Sequence, residues 1–285
     1  MTGEWIIRRM RSSDLPFAAA CTAVEGWPSE DEAALETFFL REPAGCLIAE
    51  GGGRPLGMCM ATDYGASGFI GELIVRPEVR GRGLGSALLN RAVRHLRSRG
   101  VRTIYLDGVP PAVPLYERNG FRELYRSLRF TGRLPVAFAA GTRYMEIEDL
   151  PAVFALDRRV FGENRSFFLA RRLALNPELA RVLVEDGRLT GFIFGRRGED
   201  WLTAGPWVVE AGARRPQALL AGLALDAGDQ PVSLGVLECN RAAVELVQSL
   251  GLAESPDSPW RMALGTGAAL GAGAGCLAIG SPAKG

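Results

Sequence analysis

Between residues 80 and 86 the chain reads Arg80-Gly81-Arg82-Gly83-Leu84-Gly85-Ser86. Three glycines at alternate positions leave the backbone open, so its N–H groups can converge on one anion. From Ser86 the pattern turns helical, with Leu84, Leu88, Ala92 and Leu96 on one face, and Gly100 ends it. A loop at a helix N-terminus is an anion site, because the first N–H groups of the helix lack partners and the dipole adds positive charge. Arg80 and Arg82 add full charges. The ligand that suits this loop is a pyrophosphate.

Two strands must hold it in place. Phe69 to Val75 is mostly apolar and rich in β-favouring residues, which suits a buried strand, and Pro77 stops it. Val101 to Leu106 reads as a second strand beyond the helix. A dinucleotide-binding fold has the same order of parts, and Asp107 stands at a plausible distance for its acid. That fingerprint needs G-x-G-x-x-G directly after the strand. Here Arg76 to Arg80 intervene and Ser86 takes the third glycine's place. No G-x-x-x-x-G-K-[ST] occurs either.

Arg80 to Gly85 is instead similar to the R/Q-x-x-G-x-G/A loop of the GNAT acyltransferases. Ala112 to Phe121 likewise resembles that family's later A-x-x-L-Y-x-x-x-G-F segment. The elements ahead of the loop agree with the resemblance. Trp5 to Met10 reads as a strand, and Ser13 as an N-cap for a helix through Phe17 and Val24. Gly26-Trp27-Pro28 breaks that helix, and Asp31 to Leu40 is a second one. Leu47–Glu50 and Pro55–Thr62 form a hairpin. A helix around Val113 to Asn119 and a last strand through Leu124 to Phe130 complete the first fold.

Then the pattern repeats. Asp14-Leu15-Pro16 recurs as Asp149-Leu150-Pro151, an offset of 149 − 14 = 135. Gly57 in the hairpin recurs as Gly191, and Val101–Leu106 as Val232–Leu237. The class is therefore α/β (α+β), with two tandem GNAT folds, each a mixed, mostly antiparallel sheet flanked by helices. Residues 1–135 are expected as the catalytic domain and 143–265 as its degenerate repeat, with the linker near Thr131 to Thr142. Residues 266–285 are a Gly/Ala-rich segment that is flexible or packed back; the resemblance of its ending to a tandem GNAT subgroup favours packing. Between Val75 and Ala87 there are 87 − 75 = 12 steps, but between their counterparts Val209 and Ala218 only 9. The loss falls on the glycine loop, and Val247 stands where the first half has Tyr116. The second half keeps the fold and loses the chemistry. Asn240 matches an asparagine seen in many GNAT proteins and reads as a relic.

Composition narrows the rest. The chain has 285 residues, 47% hydrophobic content and a net charge of +1, enough for two cores and no reason to expect nucleic acid or an anionic membrane. Five scattered cysteines without C-x-x-C suggest free thiols in a reducing compartment and no metal site. The single histidine, His95, reads as a helix residue, so no Ser-His-Asp triad or histidine zinc site is expected. No secretory pattern opens the chain and no apolar run would span a bilayer, so a cytoplasmic location is expected.

The resemblance implies acetyl transfer from acetyl-CoA to a primary amine. Arg80, Gly81, Arg82, Gly83, Leu84, Gly85 and Ser86 would hold the pyrophosphate. The strand edge Leu73-Ile74-Val75 would pair with the pantetheine arm, and a backbone N–H there could hold the thioester oxygen. The amine arrives protonated, so a base is needed: Glu72, or a water chain. Tyr116 matches the family's tyrosine and would protonate the leaving thiolate. Trp27 and Tyr64 are candidate walls of an acceptor groove, or packing residues. The expected acceptor is a small-molecule amine, and no oligomeric state is implied. Two other functions fit parts of the pattern, a non-catalytic acyl-CoA sensor and a dinucleotide-dependent oxidoreductase.

Overall fold

The structure, a computed structural model, describes residues 5–27, 31–134, 141–198, 200–228, 230–267 and 269–285. Pro28 of the expected helix break, and residues 135–140 of the expected linker, lie outside them. The first half runs β1 (Trp5–Arg9), α1 (Leu15–Val24), α2 (Glu32–Arg41), β2 (Cys46–Gly51) and β3 (Arg54–Asp63). It continues with β4 (Ser67–Val75), α3 (Leu84–Ser98), β5 (Thr103–Gly108), α4 (Val113–Arg118) and β6 (Arg122–Gly132). The second half opens with β7 (Thr142–Tyr144), α5 (Leu150–Phe161), α6 (Ser166–Leu175), β8 (Ala180–Glu185), β9 (Arg188–Arg197) and β10 (Leu202–Val209). It ends with α7 (Gln217–Ala227), β11 (Val232–Leu237), α8 (Arg241–Ser249), β12 (Ala253–Glu254), β13 (Trp260–Leu264) and β14 (Cys276–Ala278).

The chain forms two compact units whose borders differ from 1–135 and 143–265. One holds the residues up to Glu123 together with Met262–Gly267 and Lys284; the other holds Leu124–Arg261 and the remaining C-terminal residues. The first unit's sheet runs β1-β2-β3-β4-β5-β13. The strand through Leu124 to Phe130, expected to finish the first fold, lies in the second unit, whose sheet runs β6-β11-β10-β9-β8-β7. There β6 pairs antiparallel with β11 from Ser127↔Leu237 to Gly132↔Val232. Each unit has one parallel pair, β4 with β5 and β10 with β11, beside antiparallel pairs such as β3 with β4 and β9 with β10.

The duplication is visible in matching contacts. Arg8 donates to Asp14 at 2.7 and 2.9 Å, and Arg143 donates to Asp149 at 2.6 and 2.7 Å. Each aspartate also accepts a backbone N–H three residues back, from Arg11 and from Glu146, at 2.7 and 2.8 Å. This corrects the expected cap. Ser12–Asp14 forms a single 3-10 turn, Asp14 and not Ser13 is the N-cap residue of α1, and the Asp14 carboxylate holds the Arg11 N–H ahead of the turn. The arginine holds the Asp14 carboxyl below the usual carboxylate range, and Asp149 is lowered the same way.

In the first unit α3 covers the sheet with Leu84, Leu88, Leu89, Ala92 and Leu96, all buried. Gly57 lets β3 and β4 approach: a Cβ there would meet the Ile74 carbonyl oxygen at 2.7 Å. In the second unit Trp207, Leu219, Leu223 and Val247 centre the core. Its Asp157 and Arg165 form a buried ion pair, with three contacts of 2.9 to 3.2 Å. The Arg165 guanidinium lies 3.8 Å from the Phe161 ring centroid and donates to the Gly285 carbonyl at 3.1 Å.

Candidate active site

The glycine loop takes the form that its residues demand. Gly81 and Gly83 adopt φ of 75° and 81°, a region that other residues enter at a cost, and a Cβ on either would touch nothing within 4 Å. Gly83 caps α3. The first helical bond runs from the Ala87 N–H to the Gly83 carbonyl at 3.0 Å. The N–H groups of Leu84, Gly85 and Ser86 therefore precede the helical ladder, where an anion can collect them. Arg82 is exposed. Arg80 is partly committed: its Nε donates to the Val75 carbonyl at 2.7 Å and its guanidinium pairs with Glu25. It ties the loop to the end of β4.

That strand opens where the chemistry is expected. β4 pairs with β5 only from Ser67↔Thr103 to Phe69↔Tyr105. Beyond Phe69 the two diverge, and no described strand pairs with this edge of Leu73, Ile74 and Val75. On its other edge β4 carries a bulge. Met58 pairs with Ile74 and Met60 with Gly71, so between these pairs two residues of β4, Glu72 and Leu73, face one of β3, Cys59. Glu72 sits in the extra turn with φ 47°. The other described non-glycine residue with positive φ, Asp186, lies in a hairpin turn. Such a backbone costs about 1–3 kcal/mol and persists where its surroundings enforce it.

Glu72 is 2% exposed. Its carboxylate is paired with the ammonium of Lys284, which is also 2% exposed. Among the described residues no hydrogen bond to either carboxylate oxygen is recorded besides this pair. The Lys284 Nζ lies 4.6 Å from the Phe38 ring centroid, and the Lys284 carbonyl accepts the Tyr64 hydroxyl at 2.9 Å. Tyr64 is thus buried and committed to the C-terminal segment. Trp27 is half-buried just after α1, and its backbone N–H donates to the Thr22 carbonyl at 2.9 Å.

Tyr116 stands on α4, buried, with its ring against Gly108 at the end of β5 and edge-on to Phe121 at 6.2 Å. Burial, with Cys59 and Asp107 adding to it, pushes the Tyr116 hydroxyl well above the usual phenol range. Cys59 stands on β3 opposite the bulge, between the residues that pair with Ile74 and Gly71. Asn119 couples α4 to the loop: its Nδ2 donates to the Leu115 carbonyl at 2.7 Å and contacts the Ser86 hydroxyl at 3.4 Å. The motif draws attention to Tyr116 and Gly120 and passes over this asparagine. Lys284 carries no local signal at all; only its position in a subgroup-like ending hinted that it returns to the fold. His95 contacts Glu42 at 3.2 Å from α3.

The second unit repeats the bulge and fills the edge. Ala204 pairs with Gly195 and Trp207 with Ile193, so again two residues face one. β10 leaves β11 after Ala204, as β4 leaves β5, but here β14 takes the freed edge through Trp207↔Ala278 and Val208↔Cys276. The Val209 N–H donates to the Gly275 carbonyl at 2.9 Å. Asn240 caps α8, accepting from Ala243 at 3.2 Å, and donates to the Cys276 and Ala274 carbonyls at 3.0 and 3.2 Å. At the shortened loop, the Glu185 carboxylate accepts the Arg214 N–H at 3.1 Å.

Residues 7–121 match the acetyltransferase (GNAT) family, and residues 153–270 match a second acetyltransferase (GNAT) domain. The chain belongs to the GNAT family. A relative named mycothiol acetyltransferase, from Acidimicrobium ferrooxidans, is 36% identical over 124 residues, 39% of this chain and 40% of the relative. The mycothiol acetyltransferase of Nocardiopsis dassonvillei is 27% identical over 69% of this chain and 54% of its own length. The chain thus spans about half or less of the length of these curated relatives. A crystal structure of a putative acetyltransferase from Pyrococcus horikoshii superposes with a TM-score of 0.83 at 25% identity, over 100% of this chain and 97% of that one. A tandem GNAT protein from the clavulanic acid biosynthesis pathway shares the fold at a TM-score of 0.65 and 17% identity, over 93% and 100% of the two chains.

Proposed function

We propose that this GNAT protein transfers an acetyl group from acetyl-CoA to the primary amine of a small molecule, using its first unit. The observation that carries this reading is the conjunction on β4: an open edge at Leu73–Val75, the bulge at Glu72 beside it, and the glycine loop tied to its end through Arg80. Backbone N–H groups of residues 83–86 would take the pyrophosphate, and the β4 edge would pair with the amide chain of pantetheine. A backbone N–H near the bulge would hold the thioester oxygen as charge develops on it. Glu72 would take the amine's proton and Tyr116 would give one to sulfur. Relatives named for mycothiol and for glucosamine 6-phosphate support a small acceptor. The test is a screen of small amines with acetyl-CoA, read by free thiol release and by mass spectrometry of the products. If no amine tested releases thiol above the rate of hydrolysis, the reading fails.

Two measurements bear on the acetyl-CoA site. Gly83→Val puts a β-branched side chain on a left-handed residue and blocks close approach of the loop backbone. It is expected to weaken CoA binding by on the order of 1–3 kcal/mol in calorimetry. Unchanged affinity would remove the loop from the site. The second measurement is stoichiometry, expected at one CoA per chain. β14 lies along the second unit's strand edge, and Glu185 presents a carboxylate where a phosphate would have to bind. Two CoA per chain would contradict this.

A further inference from the structure

We infer that Lys284 is itself an acetyl acceptor, so that the protein modifies its own C-terminal segment. The inference rests on the proposed use of acetyl-CoA by the first unit. Lys284 is a primary amine in direct contact with Glu72, the carboxylate positioned to take a proton from an acceptor amine. The two groups are nearly as far from water as side chains can be. Burial penalises both charges, and moving one proton from ammonium to carboxylate removes both at once. The pair thereby contains its own route to a neutral, nucleophilic nitrogen.

The lysine is also held in place. Its carbonyl accepts from the Tyr64 hydroxyl, and its ammonium lies over the Phe38 ring. The next residue is fixed as well: the Gly285 carbonyl accepts the Gly280 N–H at 2.9 Å, and the Gly285 N–H donates to the Ser281 carbonyl at 3.0 Å. An amine so constrained reacts without the entropy loss of a free one. Glu72 adjoins Leu73, the first residue of the open edge along which the thioester arm would lie.

The step balances within these groups. One ammonium proton passes to Glu72. The nitrogen lone pair forms a C–N bond to the thioester carbonyl carbon, and the C–S bond breaks. A second proton reaches the departing sulfur through Tyr116, and the third stays on the amide nitrogen. The products are Nε-acetyl-Lys284 and CoA thiol, and Glu72 releases its proton to solvent.

The test incubates the full chain with acetyl-CoA carrying an isotopically labelled acetyl group and no added amine, followed by peptide mapping. The label separates new acetylation from any acquired during expression. The expected result is labelled acetyl on the peptide containing Lys284, at a rate per chain independent of protein concentration. Lys284→Arg keeps a cation for Glu72 and should lose the label while melting at the parent temperature. No label at Lys284 overturns the inference. Parallel CoA calorimetry and thiol release with small amines then show whether the proposed function stands without it. Labelling at Lys284 that scales with protein concentration would equally overturn modification within one chain.

Discussion

Replacing Tyr116 by Phe is expected to slow acetyl transfer roughly ten- to a few hundred-fold, with acetyl-CoA affinity within about threefold of the parent. The ring fills a pocket against Gly108 and Phe121, and Phe keeps that packing. What disappears is the hydroxyl. Burial and the neighbouring Cys59 and Asp107 keep that hydroxyl protonated far above neutral pH, so it has a proton to give across the working range. It matters only as the C–S bond breaks and charge gathers on sulfur, so the loss appears in the chemical step and not in binding. A thiolate is a good leaving group, which limits the gain to the lower part of the general-acid range. Single-turnover kinetics is the right measurement, because slow product release would hide the change in steady state. A Phe variant at the parent single-turnover rate would make Tyr116 a packing residue.

The largest effect on stability is expected at Asp157. Its carboxylate meets Arg165 inside the second unit, with side-chain exposures of 2% and 1%. Asp157→Ala leaves the Arg165 guanidinium buried on the Phe161 ring without the carboxylate that balances its charge. Breaking one side of such a pair costs about 3–5 kcal/mol, whereas replacing both partners by apolar groups of similar size is often neutral. Asp157→Ala should therefore unfold at clearly lower urea concentration, and the Asp157→Leu, Arg165→Met double variant should recover most of the loss. A single-variant cost below about 1 kcal/mol would mean that the pair is hydrated and of the ordinary surface kind.

The parts of this site that could be read in the sequence are those built by neighbouring residues. The glycine loop is legible because turn, cap and helix lie within one stretch, and glycine is the residue that a left-handed backbone selects. Tyr116 is legible through its motif. The bulge is not: Glu72 is no glycine, and the run Phe69 to Val75 reads as a plain strand. Its pairing with Lys284 joins residues far apart in the chain, for which periodicity has no signal. The exchange of strands is hidden for a related reason. Arg122–Gly132 is a sound strand by composition, and composition does not name the neighbour it will pair with. The duplication was legible as repeated triplets, and Arg8–Asp14 and Arg143–Asp149 give those triplets a shared structural purpose. Asn240, read as a relic, has a present duty in holding β14.

The place of β13 beside β5 sets an order of events during synthesis. Thr103–Gly108 leaves the ribosome long before Met262–Leu264, the segment that covers its outer edge. Until then the nascent first unit carries an unpaired strand edge, the kind of surface that recruits other chains. Closing the sheet is a contact of long sequence separation, which slows folding. The glycine loop and α3 form early from local sequence, but the sheet behind them is finished only when Met262–Leu264 has emerged. Chaperone demand should therefore peak while the second half is being made, and a chain stalled there would present a recognisable loop on an unfinished scaffold.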